Sequence, residues 1–436
     1  MSGSGIDLFL GELTVSPIPL EMSLNWCSTG CHFCFANLAT PDRKADTEGI
    51  VRALATKDTR KGLDAVLMSC GCPIVVSNRV DPFAASNVKI SMPILQTMTE
   101  VGVPYAIQTR GGKGIDEFLS FATPSIWYVS ICSLDEEYTK RVEPGAWLPE
   151  RRFDMIRQVT EAGHRVVLGL NPLVPEWCPD PAPLLEKAKA AGVEGVWIEP
   201  LHLSRGQVDG RVRDGKPIGG MSEKGKAAIS LPIIDRVVQR KAHRADIDAY
   251  LAARAAADAM GLHVYSVGQS ERSDFWQPYI DTYGADVLFP TIQEFVNLCH
   301  DNLADGAVIS FEDFWSFFEP HLPPGKWPIS RYIKAKAHDI VNENRVPSSL
   351  TYREVFAMLW AEPRIAWCPA RMACFAYAGK RRDEKRWFQY VDKNDLPYLV
   401  FSRAPFDAYM VEAADFVADI PGAPVERAVE EAAAIH

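Results

Sequence analysis

Between residues 20 and 201, short apolar runs of β type alternate with amphipathic helical stretches, which restricts this part of the chain to a parallel sheet covered by helices. The predicted strands are 20–26, 65–69, 104–109, 126–132, 165–171 and 195–201. The predicted helices are 45–55, 90–101, 113–121, 150–163 and 181–191. Six β/α units are too few to close the eight-stranded barrel, so the expected α/β architecture is a partial (β/α)6 barrel, open on one side. In such barrels the chemistry sits where the βα loops converge, at the C-terminal strand ends.

The chain has 436 residues, too many for one ordinary core. After Ser204 the pattern turns Gly/Arg/Asp-rich over 205–220 and then mainly helical, with segments at 242–260, 291–303 and 352–360. The expected organisation is an N-terminal extension (1–19), the barrel (20–204) and a mainly helical C-terminal domain (205–436). There is no internal repeat and no low-complexity tail.

Hydrophobic residues make up 47% and charged residues 23%, a soluble globular composition. No apolar run approaches the roughly 20 residues that cross a bilayer. The first residues lack the basic and apolar regions of a signal peptide, so the expected location is the cytoplasm.

The net charge of -10 argues against a protein that coats duplex nucleic acid through phosphate contacts. A local basic groove is still compatible with it. The run from Lys380 to Phe388, with Trp387 beside it, reads either as a phosphate-binding and base-stacking segment or as a solvated helix face.

Ten cysteines, three of them clustered, suggest metal ligands and buried thiols rather than a disulfide framework. Cys27, Cys31 and Cys34 fall in one loop after the first strand. A cubane iron–sulfur cluster normally takes four thiolates, so three would leave one iron open for chemistry. The competing reading is structural zinc, with His32 or a distant residue as fourth ligand and no catalysis. Zinc sites typically pair two short ligand motifs, and no second Cys-x2-Cys or His-x3-His is present.

Cys-x3-Cys-x2-Cys with an aromatic before its last cysteine resembles the signature of the radical S-adenosylmethionine (SAM) superfamily. Downstream, the stretch from Ser77 to Phe83, then Gln108-Thr109-Arg110, Val129-Ser130-Ile131, Glu143-Pro144-Gly145 and Arg152 occur in the order seen in its spore-photoproduct-lyase-like branch. The resemblance covers residues 20–200. It implies a [4Fe-4S] cluster on Cys27, Cys31 and Cys34, with SAM chelated at the open iron. It also implies an external flavodoxin- or ferredoxin-like one-electron reductant and cleavage of SAM to a 5′-deoxyadenosyl radical that abstracts hydrogen. Asp81, Thr109, Arg110, Ser130 and Arg152 would then face SAM and the cluster.

The residue types suit those roles. Arg110 can pair with the SAM carboxylate. Thr109 and Ser130 can bond its amino or ribose groups, and Glu143 a ribose hydroxyl or a buried arginine. Each of these residues could equally be a strand-end cap, turn residue or salt-bridge partner.

The chain also departs from the lyase. Phe33 and Phe35 stand where the lyase has tyrosines, and Asn78 where it has a cysteine; without those hydrogen donors the chain is not expected to repair the spore photoproduct. The expected task is tailoring or isomerising a modified nucleobase in DNA. The alternative is the same radical chemistry on a small metabolite or peptide.

Cys70 and Cys72, placed after the predicted second strand, are candidate hydrogen donors or metal ligands, or small residues in a tight turn. His202, with Glu199, closes the sixth strand as a candidate acid/base group or an ordinary strand-end histidine. Cys132 and Cys178 are given no catalytic role. Cys299, Cys368 and Cys374 could hold a second iron–sulfur cluster or be buried thiols.

Overall fold

A computed structural model describes residues 6–8, 17–18, 20–22, 24, 26–34, 45–61, 63–76, 80–213, 216–218, 220–239, 243–265, 273–322, 326–328, 349–362, 368–383, 386–412 and 425–429. Phe35 and Asn78 lie outside the described residues. The chain forms two compact units, Met1–Asp7 with Leu20–Ser266 and Trp276–Leu288, and Leu8–Pro19 with Val267–Phe275 and Phe289–His436. Residue 204, the expected boundary, falls inside the first unit.

The first unit is built on strands β1 (Ile6–Leu8), β2 (Leu20–Met22), β3 (Ile74–Val76), β4 (Tyr105–Thr109), β5 (Ile126–Ser130), β6 (Arg165–Leu173) and β7 (Gly195–Pro200). A small antiparallel pair follows, β8 (Arg211–Arg213) and β9 (Lys216–Ile218), and then β10 (His263–Tyr265). One sheet runs in the order β1-β2-β3-β4-β5-β6-β7-β10. From β2 onward neighbouring strands are parallel. Helices between the strands make this the open α/β half-barrel that the alternation predicts. Two edge strands, β1 and β10, extend it beyond six.

One predicted strand is wrong. Residues 65–69 lie in the helix Leu63–Ser69, and the second barrel strand is Ile74–Val76. Ala65 and Met68 are buried three residues apart while Val66 is 36% exposed, a helical spacing that a five-residue apolar run does not reveal. β3 is three fully apolar residues after Pro73, buried throughout.

Aromatic packing fixes the helical layer against the sheet. Phe83 stacks on Trp127 of β5 with centroids 5.7 Å apart and planes within 4°, and Phe118 of the helix Ile115–Leu119 lies 5.7 Å from both. At the opposite sheet end, the helix Gln277–Tyr283 caps the strand starts. The Tyr283 hydroxyl donates to the Tyr105 carbonyl at 2.6 Å and accepts from the Ile126 amide at 3.3 Å.

The second unit contains helices Ile292–Asn302 and Tyr352–Ala361, near their predicted positions, and a further helix, Phe311–Phe318, that the sequence reading does not include. To these it adds sheet structure that the helical reading does not anticipate. Its strands are β11 (Val308–Ile309), β12 (Lys326–Pro328), β13 (Ser349–Thr351), β14 (Phe375–Asp383), β15 (Arg386–Val391), β16 (Leu399–Phe401), β17 (Met410–Glu412) and β18 (Val425–Val429). β12 and β13 pair alone, and the rest form a six-stranded sheet. The basic run falls on β14 and β15, paired antiparallel with Lys380 opposite Phe388 and Arg381 opposite Trp387, so the helix-face reading is replaced by a hairpin. A register shift between Arg381 and Asp383, inside the densest charge, removes the alternation by which a strand is recognised.

Among the described residues no helix is long and apolar enough to cross a membrane. Phe118 is fully buried among rings, so Phe118→Ala is expected to cost about 3–5 kcal/mol, read as a lower urea midpoint by circular dichroism.

Candidate functional site

The loop carrying Cys27, Cys31 and Cys34 leaves the C-terminal end of β2 and is held from two sides. On one side the Ser28 amide donates to Ser86 Oγ (3.0 Å), the Ser86 amide to Ser28 Oγ (3.1 Å), and Ser86 Oγ to the Trp26 carbonyl (2.8 Å). On the other, the His32 amide donates to the Val142 carbonyl (3.0 Å) and the Gly145 amide to the Thr29 carbonyl (2.8 Å). Gly145 is there because nothing larger fits. A Cβ at that position would lie 2.5 Å from the Ser28 carbonyl oxygen and 2.7 Å from Thr29 Cα.

None of the three cysteines is in a disulfide, and Cys27 and Cys31 are buried and Cys34 partly so. Burial pushes the Cys31 thiol well up, against the pull of the Arg110 guanidinium. A thiolate here therefore needs a compensating cation, as metal ligation supplies. Thr29 Oγ1 and His32 Nε2, in the same loop, are buried polar atoms without a protein partner.

Among the described residues no three His, Cys, Asp or Glu side chains are grouped to hold a single metal ion. In a cubane each thiolate serves its own iron, so its ligands need not meet at a point. The donor set of three thiols on one fixed loop fits a cluster.

Behind the loop lies Glu143, 1% exposed, at the C-terminus of the helix Glu136–Val142. Its Oε1 accepts from Arg110 Nε at 2.7 Å and its Oε2 from Arg152 Nη2 at 2.8 Å. Burial, the largest influence, would raise its carboxyl; Arg152 and Arg110 together outweigh it and hold the group below the ordinary glutamate range. Arg152, fully buried, spends its other nitrogens on the Trp147 carbonyl (2.6 Å) and the Ser130 carbonyl (2.8 Å). Expected to face a cofactor, Arg152 is instead committed on every nitrogen to the protein.

Asp81 and Thr109 are similarly committed. Asp81 accepts from the Phe83 amide (2.9 Å), Thr109 Oγ1 (2.9 Å) and the Arg110 amide (2.7 Å), while Thr109 Oγ1 also accepts from the Gly111 amide (2.9 Å). Both side chains are buried and hold the loop after β4 in place. Arg110, whose side chain remains 24% exposed, has its guanidinium 5.4 Å above the Phe33 ring. Phe33 packs in turn on Trp177, centroids 6.0 Å apart, beside a core cluster of Cys132, Tyr138, Ile229 and Ile233. Residues beyond 204, assigned in sequence to another domain, thus back the cysteine loop.

At the ends of β6 and β7, Asn171 Nδ2 donates to Glu199 Oε2 (3.1 Å), and His202 Nε2 lies 3.2 Å from Glu199 Oε1. The hydrogen bond to Glu199 raises the His202 pKa against the opposing effect of burial. Arg110 Nη2 reaches the Asn171 carbonyl at 3.4 Å, which joins this group to the charged network.

Cys70 and Cys72 do not share this mouth. Because β3 begins at Ile74, they precede their strand and sit at its N-terminal end, where Gly71 lies close to Val287 of the segment Trp276–Leu288. Burial pushes the Cys72 thiol up to about 12, and Cys70 is exposed. In the second unit Cys299, Cys368 and Cys374 are buried, with Cys368 Sγ 3.3 Å from the Trp360 carbonyl.

Residues 23–196 match the family model described as Radical SAM superfamily. The uncharacterized protein ORF301 of Acidianus two-tailed virus is 28% identical over 138 residues, 30% of this chain and 46% of that protein. The chain thus spans less than half the length of this relative. Among solved structures the chain is similar to Streptococcus suis SuiB bound to precursor peptide SuiA, at 17% identity over 42% of this chain and 38% of that one, TM-score 0.31. It is also similar to a spore photoproduct lyase variant with dinucleoside spore photoproduct, at 11% identity over 61% and 79%, TM-score 0.38.

Two outcomes follow from the geometry. Arg152→Met leaves Glu143 with a single charged partner, Arg110, and should cost about 3–5 kcal/mol in a denaturant titration. The folded-state carboxyl of Glu143 is depressed, so this contribution is complete above the unfolded glutamate value of about 4.3 and vanishes as pH falls through the folded value. The gap between wild type and variant should therefore close on acidification.

Proposed function

We propose that this chain, whose residues 23–196 form a radical SAM domain and which is therefore an enzyme, holds a [4Fe-4S] cluster on Cys27, Cys31 and Cys34 and reductively cleaves SAM. The observation that carries this reading is the cysteine loop itself: three cysteines outside any disulfide, on one loop at a C-terminal strand end, clamped by Ser86 and Gly145. Bound there, a cluster would supply the one-electron chemistry for reductive SAM cleavage and hydrogen abstraction, its electron coming from an external flavodoxin- or ferredoxin-like protein.

The chain's own residues bind and orient. Arg110, held by Glu143 and by the Asp81 bond to its amide, offers the one charged side chain of the network that retains exposure, suited to the SAM carboxylate. Ser130 lies at the neighbouring strand end. Glu199, Asn171 and His202 line the β6 and β7 ends, where hydrogen-bond donors and acceptors can hold a substrate and His202 can take or give a proton.

For the substrate we propose a nucleobase in DNA. The support is the β14–β15 hairpin, whose backbone register sets Lys380 opposite Phe388 and Arg381 opposite Trp387, in a run of the residue types that bind phosphate and stack bases. Salt-dependent oligonucleotide binding that weakens on Lys380→Ala tests this, and no binding would move the substrate to a small metabolite or peptide.

Anaerobic purification is expected to give a brown protein with about four irons and four sulfides per chain. After reduction it should release 5′-deoxyadenosine from SAM, and Cys31→Ala should abolish both properties. A colourless protein carrying zinc would end the reading.

A further inference from the structure

Two side chains in the cysteine loop have no role in holding the loop together. Thr29 is 3% exposed, and its backbone carbonyl is used by the Gly145 amide, yet its Oγ1 has no hydrogen-bond partner in the protein. His32 gives its backbone amide to the Val142 carbonyl, and its Nε2 is likewise buried and unpartnered. Buried polar side-chain atoms in native proteins nearly always have a partner, because desolvating one without replacing its bond to water is unfavourable. Thr29 has little room to turn toward solvent, and His32, partly exposed as a residue, keeps its Nε2 covered. The Thr29 backbone is pressed against Gly145, and Gly225 of the helix Glu223–Ile229 stands over His32, so close that a Cβ there would lie 3.3 Å from Nδ1.

The two orphans are placed alike in sequence. Thr29 sits midway between Cys27 and Cys31, and His32 between Cys31 and Cys34. We propose that the Thr29 hydroxyl and the His32 Nε2–H donate hydrogen bonds to sulfur atoms of the cluster held by those cysteines, and so raise its reduction potential. This rests on the cluster assignment above. A one-electron reduction adds negative charge that spreads over the cluster sulfurs, and donors aimed at them stabilise the reduced form more than the oxidised form. The potential of the radical source would then be set within the cysteine motif, by the residues between its ligands.

The test uses the full chain, reconstituted anaerobically with iron and sulfide, and reads the reduced fraction of the cluster by EPR at controlled potential. Thr29→Val keeps the shape and removes the donor; its reduced-to-oxidised ratio at fixed potential should fall about tenfold, equivalent to about 59 mV for one electron. Thr29→Ser should restore the wild-type ratio, and His32→Phe should fall in the same direction. If Thr29→Val takes up no iron, Thr29→Ala and His32→Phe make the same measurement. An unshifted ratio in the variants that load overturns the proposal and assigns the orphans to ordered water. Wild-type protein that takes up no iron and sulfide would overturn the cluster assignment instead.

Discussion

A single buried carboxylate organises the mouth of this barrel. Glu143 is charged and almost without exposure, a state that is costly unless its lone pairs are answered, and two arginines answer it from different elements. Arg110 comes from the end of β4 and Arg152 from the helix after the Glu143 loop, and Arg152 adds a bond to the end of β5. The residues on either side of Glu143 hold the cysteine loop through Val142 and Gly145. The position of the thiols is thus referred to the strand ends through one ion-pair network. That explains why residues expected to touch a cofactor turn out to be bonded to the protein.

Phe33 gains a clear role in the same network. Its ring lies between the Arg110 guanidinium and Trp177, filling an aromatic slot with no hydroxyl to satisfy. A phenol there would bring a hydroxyl into the same packing and would need a partner for it. The side chain thus serves packing and cation contact.

Much of the barrel was legible because its signals are local. Apolar runs marked β4 to β7, and Thr109 and Arg110 stood at the end of one of them, whereas Asp81 and Glu143, the latter at a helix end, were reached through the family resemblance and not through a strand pattern. What escaped was set by distance or brevity. The Ser28–Ser86 pair joins residues 58 apart, and the Asn171–Glu199 bond spans two strands; neither leaves a spacing in the sequence. The helix Leu63–Ser69 read as a strand because seven residues are too short to show a period, and that one error carried Cys70 and Cys72 to the wrong end of the sheet. The sheet of the second unit is made largely of two- to six-residue strands, with its longest strand interrupted by charge at a bulge.

The helix Gln277–Tyr283 has a consequence for how the protein is made. Tyr283 closes the starts of β4 and β5, yet it is synthesised about eighty residues after β7, once the chain has passed through Val267–Phe275 of the other unit. A nascent chain that has just completed its sixth β/α unit still has the floor of its sheet open. Those two bonds can form only after Tyr283 has emerged, and a fragment cut at the apparent end of the barrel would lack them.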